Sequence, residues 1–593
     1  VGAFGKGWDD FETMTDEFVQ VAQEKTNGQR LVIVSNQKDF FEDFEASYGG
    51  DIPSAALSFG NDWDLYCAAL AEVSAQIKRA VEALRGAEAL ASVAVWLDPR
   101  FMDGREAARD QAWMDLGLFW EHNFGVAGRD DFMDERIAWQ RQLADEVTAY
   151  VTMLRRDALA LITSRIAVPY GEHRFIAFNP LGCARTDIVD VPFDQAEPAH
   201  VIDVTTGDEV PSQTVVNEGR TYLRVLASEV PAVGYKTFEV RSGAGERGGA
   251  AIGSSDGTLE TSRYRVTVSG SGAIISLIDK VAGGRELIQL IGGRAANDLG
   301  GSDGVVVVEN AGPVSATLLA QGDGPLAHRT RIVLIEGVDR IEVVNEITEN
   351  FNDVRTWAFS FNLPDASLWH EEVGALLRVK LEQEGGHYSA QNARYDWLTL
   401  NHFADLSGAD GYGATLSNAD CYFMKFGGST PEHLDTSSPQ INVLAGGRVG
   451  GDGRFGIPDQ GGDRYFLQRF ALRGRAEYSP ASAMRFALEH QNPLIARMLP
   501  GASTSEAPVE TMPEDQFSLL HLDSDEVLLW ALKPSDDQPG ALVVRAWNLA
   551  DSAQPLALAT ASAMPDRITP LTHIETPSGD VVAFADEAEQ LML

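Results

Sequence analysis

Apolar residues recur at helical spacing through the first quarter of the chain and at every second position through most of the rest. Residues 11–24, FETMTDEFVQVAQE, carry the helical period, and RLVIVS at 30–35 is a short apolar run of the kind that predicts a buried strand. NQKDFFEDFEAS then predicts a helix opening on Asn36, whose side-chain oxygen suits the free amides of a first turn. This is α/β material, but one strand does not make a sheet, so its partners are expected upstream or far away in sequence.

From Glu72 to Ile166 the 3.6-residue period returns in three stretches: EVSAQIKRAVEALRGAEALASVAVWL, GREAARDQAWMDLGLFWEHN and DERIAWQRQLADEVTAYVTMLRRDALALITSRI. Three long helices with short connections predict a bundle. After Pro169 the pattern changes to short alternating segments such as RFIAF, TYLRVL, RYRVTVS, RIVLIEGVDRIEVVNEI and ALVVRAWNL, separated by Gly, Asn, Asp and Pro clusters. RSGAGERGGAAIGSSDG at 241–257 reads as a linker. The expected division is 1–70 α/β, 71–168 helix bundle, 169–245 small β-domain, 246–505 large β-sandwich and 506–593 a last small β-domain. No fixed-period repeat supports a propeller or a solenoid.

The chain has 593 residues, several times an ordinary domain, which agrees with that division. Its net charge of −40 would repel phosphate backbones and anionic lipid surfaces, so neither nucleic acid nor membrane is an expected partner. No run of apolar residues is long enough to span a bilayer. Cys67, Cys183 and Cys421 are few, odd in number and far apart, which predicts reduced thiols and a cytoplasmic setting, while the excess of Arg over Lys and the abundant Ala suggest a bacterial source. The opening VGAFGKGWDD has neither an initiator Met nor a signal segment, and the expectation is that it begins inside a longer protein.

Candidate chemistry clusters in the front of the chain. Asp62 in GNDWD, with Asp64 two residues on, is a carboxyl flanked by an aromatic ring, an environment that suits a proton donor; the alternative is that NDW turns into the first bundle helix. Asp9 and Asp10 after Trp8 are placed to grip sugar hydroxyls with the indole against a ring face, or to open a helix. His122 in LGLFWEHNFG is either a ring at a helix end or a metal ligand, with Glu121 as its orienter or a solvated neighbour. Asn401, His402 and the Asp459-Gln460-Gly461 turn are candidates to reach a cleft from the β-region. The spellings His433-x-Asp435 and His521-x-Asp523 are of the kind chance supplies in an acidic chain.

Four stretches in order, RFIAFNPLGCARTDIVDVPF, SRYRVTVSGSGAIISLIDKVAGGREL, HFADLSGADGYGATLSNADCY and IPDQGGDRYFLQRFAL, resemble the β-region of the glycoside hydrolase family 38 α-mannosidases. GKGWDDFETMTDEFV, DFFEDFEAS, SFGNDWDLYCA and WEHNFG are similar to the last part of that family's catalytic domain. The resemblance implies a multi-domain α+β fold: a remnant of a β/α-barrel-like catalytic domain, a three-helix bundle, then antiparallel β-sandwiches. It implies a retaining α-mannosidase acting on a glycan, with one divalent metal, zinc, and leaves a homo-oligomer open. Asp62 or Asp64 takes the place of the acid/base, His122 of a zinc ligand, and Trp8, Asp9, Asp10, Asn123, Asn401, His402 and Asp459 of sugar contacts. Asn123 departs from the Asp common in the family. The family's His-x-Asp with a following Trp, and its nucleophilic Asp, are not found, so the fragment is expected to lack turnover. The rival readings are a non-catalytic carbohydrate-binding scaffold of β-sandwich modules, and a different sugar hydrolase or lyase with paired acids inside the β-region.

Overall fold

The computed structural model describes residues 17–121, 132–193, 198–217, 219–246, 251–301, 303–449, 456–501, 512–522, 524–556, 558–560, 567–578, 582–583 and 591–592. The chain divides into two compact units, residues 1–57 and 58–593.

In the first unit, α1 (Glu17–Lys25) occupies the described end of the expected helix, and α2 (Gln37–Tyr48) starts where the sequence predicts. The Asp39 amide donates to Asn36 Oδ1 at 2.9 Å and caps α2. The expected strand at 30–35 does not form. Leu31 and Ile33 are 73% and 71% exposed, and the residues from Leu31 to Asn36 are paired with no described strand. An apolar run becomes a strand only when a neighbouring strand takes up its amides and carbonyls, and none of the described residues of this unit does so.

The second unit is a mixture of few helices and many antiparallel strands. A 3-10 turn, Trp63–Leu70, leads directly into α3 (Ala71–Leu97), which packs with α4 (Glu106–Phe119) and α5 (Met133–Ser164) in one hydrophobic cluster containing Leu90, Phe119 and Leu154. The start of α3 has no side-chain cap of its own. Gln460 supplies one from the β-region: its Oε1 accepts from the Ala71 amide at 2.8 Å, and its Nε2 donates to the Ala68 carbonyl at 3.1 Å. Gln460 sits between Asp459 and Gly461, all three in the left-handed backbone region, a conformation that turns the amide side chain into the helix end.

A six-stranded sheet centred on His173–Asn179 and Gly234–Ser242 and a three-stranded sheet of Arg185–Pro192, Arg220–Val230 and Ser212–Asn217 enclose a small core around Phe175, Val225 and Phe238. The chain returns to the six-stranded sheet at Ile495–Met498 and Gln516–Ser518. A ten-stranded and a nine-stranded sheet share a second core around Tyr264, Trp357, Phe359 and Phe470. The stretch read as a linker carries strand residues at both ends, in Gly234–Ser242 and Ile252–Ser254. A final helix, α6 (Pro480–Gln491), is capped by Ser479. No described helix is long and apolar enough to cross a membrane.

Candidate active site

Residues 58–64 form a strap laid against a loop of the large sandwich. The Ser58 amide donates to the His387 carbonyl at 2.7 Å, the Ser389 amide to the Ser58 carbonyl at 3.1 Å, and the Arg394 amide to the Phe59 carbonyl at 2.9 Å. Asn61 Nδ2 donates to the Trp397 carbonyl at 3.1 Å. Gly60 has φ +74°, and a Cβ there would overlap the Arg394 carbonyl oxygen, so the contact exists only because the residue has no side chain.

This strap sets two acids at the head of the 3-10 turn. Asp62 accepts from Arg394 Nη1 at 2.9 Å with its side chain 65% exposed, and the Asp62 amide donates to Asp64 Oδ1 at 3.4 Å. Arg394 is forked, holding Asp396 at 3.0 Å through its other nitrogen. Glu372, at the end of the strand Ser367–Glu372, receives the Ser58 hydroxyl at 3.4 Å on both oxygens. Burial pushes its carboxyl up to about 7, helped by the charges of Asp64 and Glu371 and opposed by the Ser58 hydrogen bond. The strap therefore collects a carboxyl able to hold a proton near neutral pH, two open aspartates and a guanidinium, the ingredients of general acid–base chemistry.

Behind this corner lies a second set of charged groups, all buried, where α3 meets the sandwich. His402 donates or accepts through both ring nitrogens, Nε2 to Glu82 at 3.0 Å and Nδ1 to Glu371 at 2.8 Å. Burial works against a charged ring, but Glu371 and Glu82 outweigh it and raise the His402 pKa. Burial likewise opposes ionisation of Glu82, and Arg85 and His402 overcome it and hold the carboxyl well below its usual range. Asn492 donates to Glu82 at 3.0 Å. Lys78 donates to the carbonyls of Asn401 and Cys421, both at 2.6 Å, and burial lowers its pKa to about 8.

The structure brings only some of the sequence candidates together. Asp62 and Asp64 share the strap. Asn401 and His402 are joined at 3.2 Å but belong to the buried seam, where His402 is 3% exposed and both its nitrogens are occupied. Asp459 is exposed in the turn that presents Gln460, with its amide on Asn352 at 3.1 Å. Trp8, Asp9, Asp10, His122 and Asn123 lie outside the described residues, and Glu121 is paired with Arg136. Asp435 bonds the Gly428 amide at 2.7 Å and the Ser437 amide at 2.8 Å, the pattern of a turn former. His521 is exposed on a strand, and Asp523 is outside the described residues. Glu372, Arg394, Glu82 and Lys78 were not foreseen. Nothing in the sequence around Arg394 or Glu372 marks either residue.

Among the described residues no group of three or more His, Cys, Asp or Glu is placed to hold a metal ion. His402, the imidazole nearest to carboxylates, has both nitrogens bonded to them and leaves no lone pair for an ion. A cavity of about 20 Å³ lined by Cys67, Ser74, Asp420, Tyr422 and Gln468 has room for one water and not for a sugar.

No family model and no curated protein matches the sequence. Solved structures do match the fold. An alpha-mannosidase from Enterococcus faecalis V583 superimposes with a TM-score of 0.68 at 15% identity, over 92% of this chain and 70% of its own. A protein in glycosyl hydrolase family 38 from Enterococcus faecalis gives a TM-score of 0.71 at 16% identity, over 97% of this chain and 74% of its own. The resemblance carried by the β-region motifs is thus matched in three dimensions, and over nearly its whole length this chain has the fold found in glycoside hydrolase family 38.

Proposed function

We propose that the chain belongs to a retaining, α-mannosidase-like glycoside hydrolase that removes terminal α-mannosyl units from a glycan. The observation that supports this most is the fold match across both the helices and the two sandwiches, to structures of which one is named an alpha-mannosidase. In retaining hydrolysis one carboxylate attacks the anomeric carbon while a second carboxyl, about 5 Å away, protonates the leaving oxygen and then activates water. Asp62 is assigned the second role, with Asp64 the adjacent alternative. The strap fixes the backbone on which both sit, and Arg394, tethered to Asp396, fixes where the Asp62 carboxylate points. The attacking carboxylate is assigned to an Asp outside this sequence.

Trp8, Asp9, Asp10 and Asn123 are assigned to sugar contact, and Asn401 and Asp459 complete the list only if substrate reaches across the sandwich. His402, buried and doubly bonded, is better suited to holding the seam than to touching sugar. A single divalent ion, zinc, belongs to this reading through His122 alone. Its presence is a matter for metal analysis of the intact protein.

The test is hydrolysis of an aryl α-mannoside by the full-length protein. Asp62→Asn is expected to lower kcat by about 100-fold or more, as loss of a proton donor does. His122→Ala is expected to lower bound metal and rate together. Full activity in Asp62→Asn and Asp64→Asn alike would remove the acid/base assignment. Sugar binding with no turnover under any condition would favour a non-catalytic carbohydrate-binding module.

A further inference from the structure

The strand Ser367–Glu372 sends its last side chains to two different places, because successive residues of a strand face opposite ways. Glu371 enters the seam, bonded to His402 at 2.8 Å and to the Gly374 amide at 2.6 Å. His370 and Glu372 share the other face and meet Tyr388 and Ser58, which lie side by side in a parallel bridge. The Ser58 hydroxyl joins this face to the strap. It donates to both Glu372 oxygens at 3.4 Å and accepts from the Gly60 amide at 3.2 Å, so it ties the carboxyl to the glycine two residues before Asp62. Contacts of that length are weak hydrogen bonds.

Among the described residues nothing offsets a charge on Glu372. Tyr388 and His370, joined at 2.9 Å, are fully buried, and burial keeps the phenol un-ionised and lowers the imidazole pKa to about 4. The charges that reach the carboxyl are those of Asp64 and Glu371. The cations of the adjoining elements are held elsewhere: Arg394 by Asp62 and Asp396, Arg378 by Ser367 at 3.1 Å and the Gly385 carbonyl at 3.4 Å, and Lys78 by the carbonyls of Asn401 and Cys421. His387 is turned to the Arg378 amide, which donates to its Nδ1 at 2.8 Å. A neutral Glu372 therefore fits against the strap. An ionised one is buried beside two like charges with only the Ser58 hydroxyl to answer it, a state that entry of water relieves.

We infer that Glu372 is a positioning residue for the Asp62–Asp64 corner: protonated, it anchors the strap through Ser58, and ionised, it releases the strap toward water. Glu372 touches no substrate in this account. It acts through Ser58 and Gly60 on the backbone that carries the two aspartates, and Tyr388 and His370 form the uncharged wall against which it is held. The consequence for catalysis rests on the α-mannosidase-like reading proposed above; the response of the strap to pH does not.

Hydrogen exchange at pH 6 and pH 8, corrected for its intrinsic pH dependence, tests this on the strap and on the loop beneath it. Protection of the Ser58, Ser389 and Arg394 amides is expected to fall at least about fivefold between the two, and Glu372→Gln, which keeps an acceptor for Ser58 and cannot ionise, should abolish the fall. In the full-length protein, kcat of Glu372→Gln on an aryl α-mannoside should rise relative to the unaltered enzyme by about threefold or more from pH 6 to pH 8, with KM little changed. Ser58→Ala is the second variant, should Glu372→Gln lose its native circular dichroism, and it should bring protection at pH 6 down to the level seen at pH 8. Protection that ignores pH, or that falls equally in Glu372→Gln, overturns the inference, and so does hydrolysis whose pH profile the variant leaves in place. A strap that answers to Glu372 in a full-length protein that hydrolyses no α-mannoside supports the hold of Glu372 on the strap and overturns the functional reading instead.

Discussion

The corner at Asp62 and the seam at His402 are built from the same side-chain types, carboxylates with cationic partners, yet they have opposite surroundings. In the seam His402, Glu82 and Glu371 are enclosed, the ring nitrogens lie 3.0 and 2.8 Å from the two carboxylates, and each charge is answered by another. In the corner Asp62 stands in water with a partly exposed Arg394. Enclosure makes the first set indispensable to folding and unavailable to a substrate. Exposure makes the second set nearly irrelevant to folding and free to act. The residue types do not separate the two; the environment does.

The contrast breaks most visibly at the seam. His402→Ala leaves Glu82 and Glu371 facing each other without their common partner, and loss of one member of a buried ionic set costs about 3–5 kcal/mol. Urea denaturation should show that loss at pH 6, with no change in the slope of the transition. The effect should shrink as pH rises. The folded pKa of His402 is raised above its ordinary 6.5, so its contribution is complete below pH 6.5 and is lost as pH climbs through the folded value. A loss below about 1 kcal/mol would mean that water reaches the seam and that the enclosure is not what distinguishes it.

Next in size is the joint between the two regions. Gly60→Ala demands a Cβ where the Arg394 carbonyl lies and a positive φ that alanine resists, and a cost of about 2 kcal/mol is expected from thermal unfolding. If the strap shifts to make room, Asp62 moves with it. Activity in the full-length protein should then fall by more than the lost stability accounts for, an outcome His402→Ala should not give.

How much of this was legible beforehand follows from distance along the chain. Local periodicity was enough for α3, α4 and α5 and for the cap at Asn36, because those features are settled by neighbours within a turn or two. RLVIVS failed for the same reason in reverse: its apolar character is local, but a strand is made by its partner. Asp62 and Asp64 stood out as acids beside an aromatic, whereas Glu372 shows nothing in its own neighbourhood to mark it. Its raised pKa arises from burial by the fold and from Asp64, roughly 300 residues earlier. His402 was noticed as a residue that could reach a cleft, but its partners were not legible, since Glu82 and Glu371 are brought to it only by docking α3 on the sandwich. Gln460, chosen as part of a turn, proved to be the missing cap of α3.

Glu372 lies between the two extremes and sharpens the comparison in a smaller, pH-dependent way. Its folded pKa of about 7 stands above its ordinary 4.5, so the folded state keeps a proton that the unfolded chain has released. Its contribution is therefore complete below pH 4.5 and is lost as pH rises to about 7. Glu372→Gln should flatten the fall in stability across that window and leave the curve above pH 8 parallel to that of the unaltered protein. An unchanged slope would mean that folding ignores the protonation of Glu372.

The smallest stability effect belongs to Asp62 itself. Its side chain is 65% exposed and its partner Arg394 has a second carboxylate, Asp396, to hold. An exposed pair of this kind contributes between nothing and about 1 kcal/mol, and with Asp396 still in place Asp62→Asn should shift the unfolding free energy by less than about 0.5 kcal/mol. A near-silent substitution in a melting curve, set beside a large loss of hydrolysis in the intact protein, is the signature of a residue kept for chemistry. Should Asp62→Asn instead unfold the chain as readily as His402→Ala, the strap would be a second seam, and Arg394 rather than a substrate would be the reason an acid stands there.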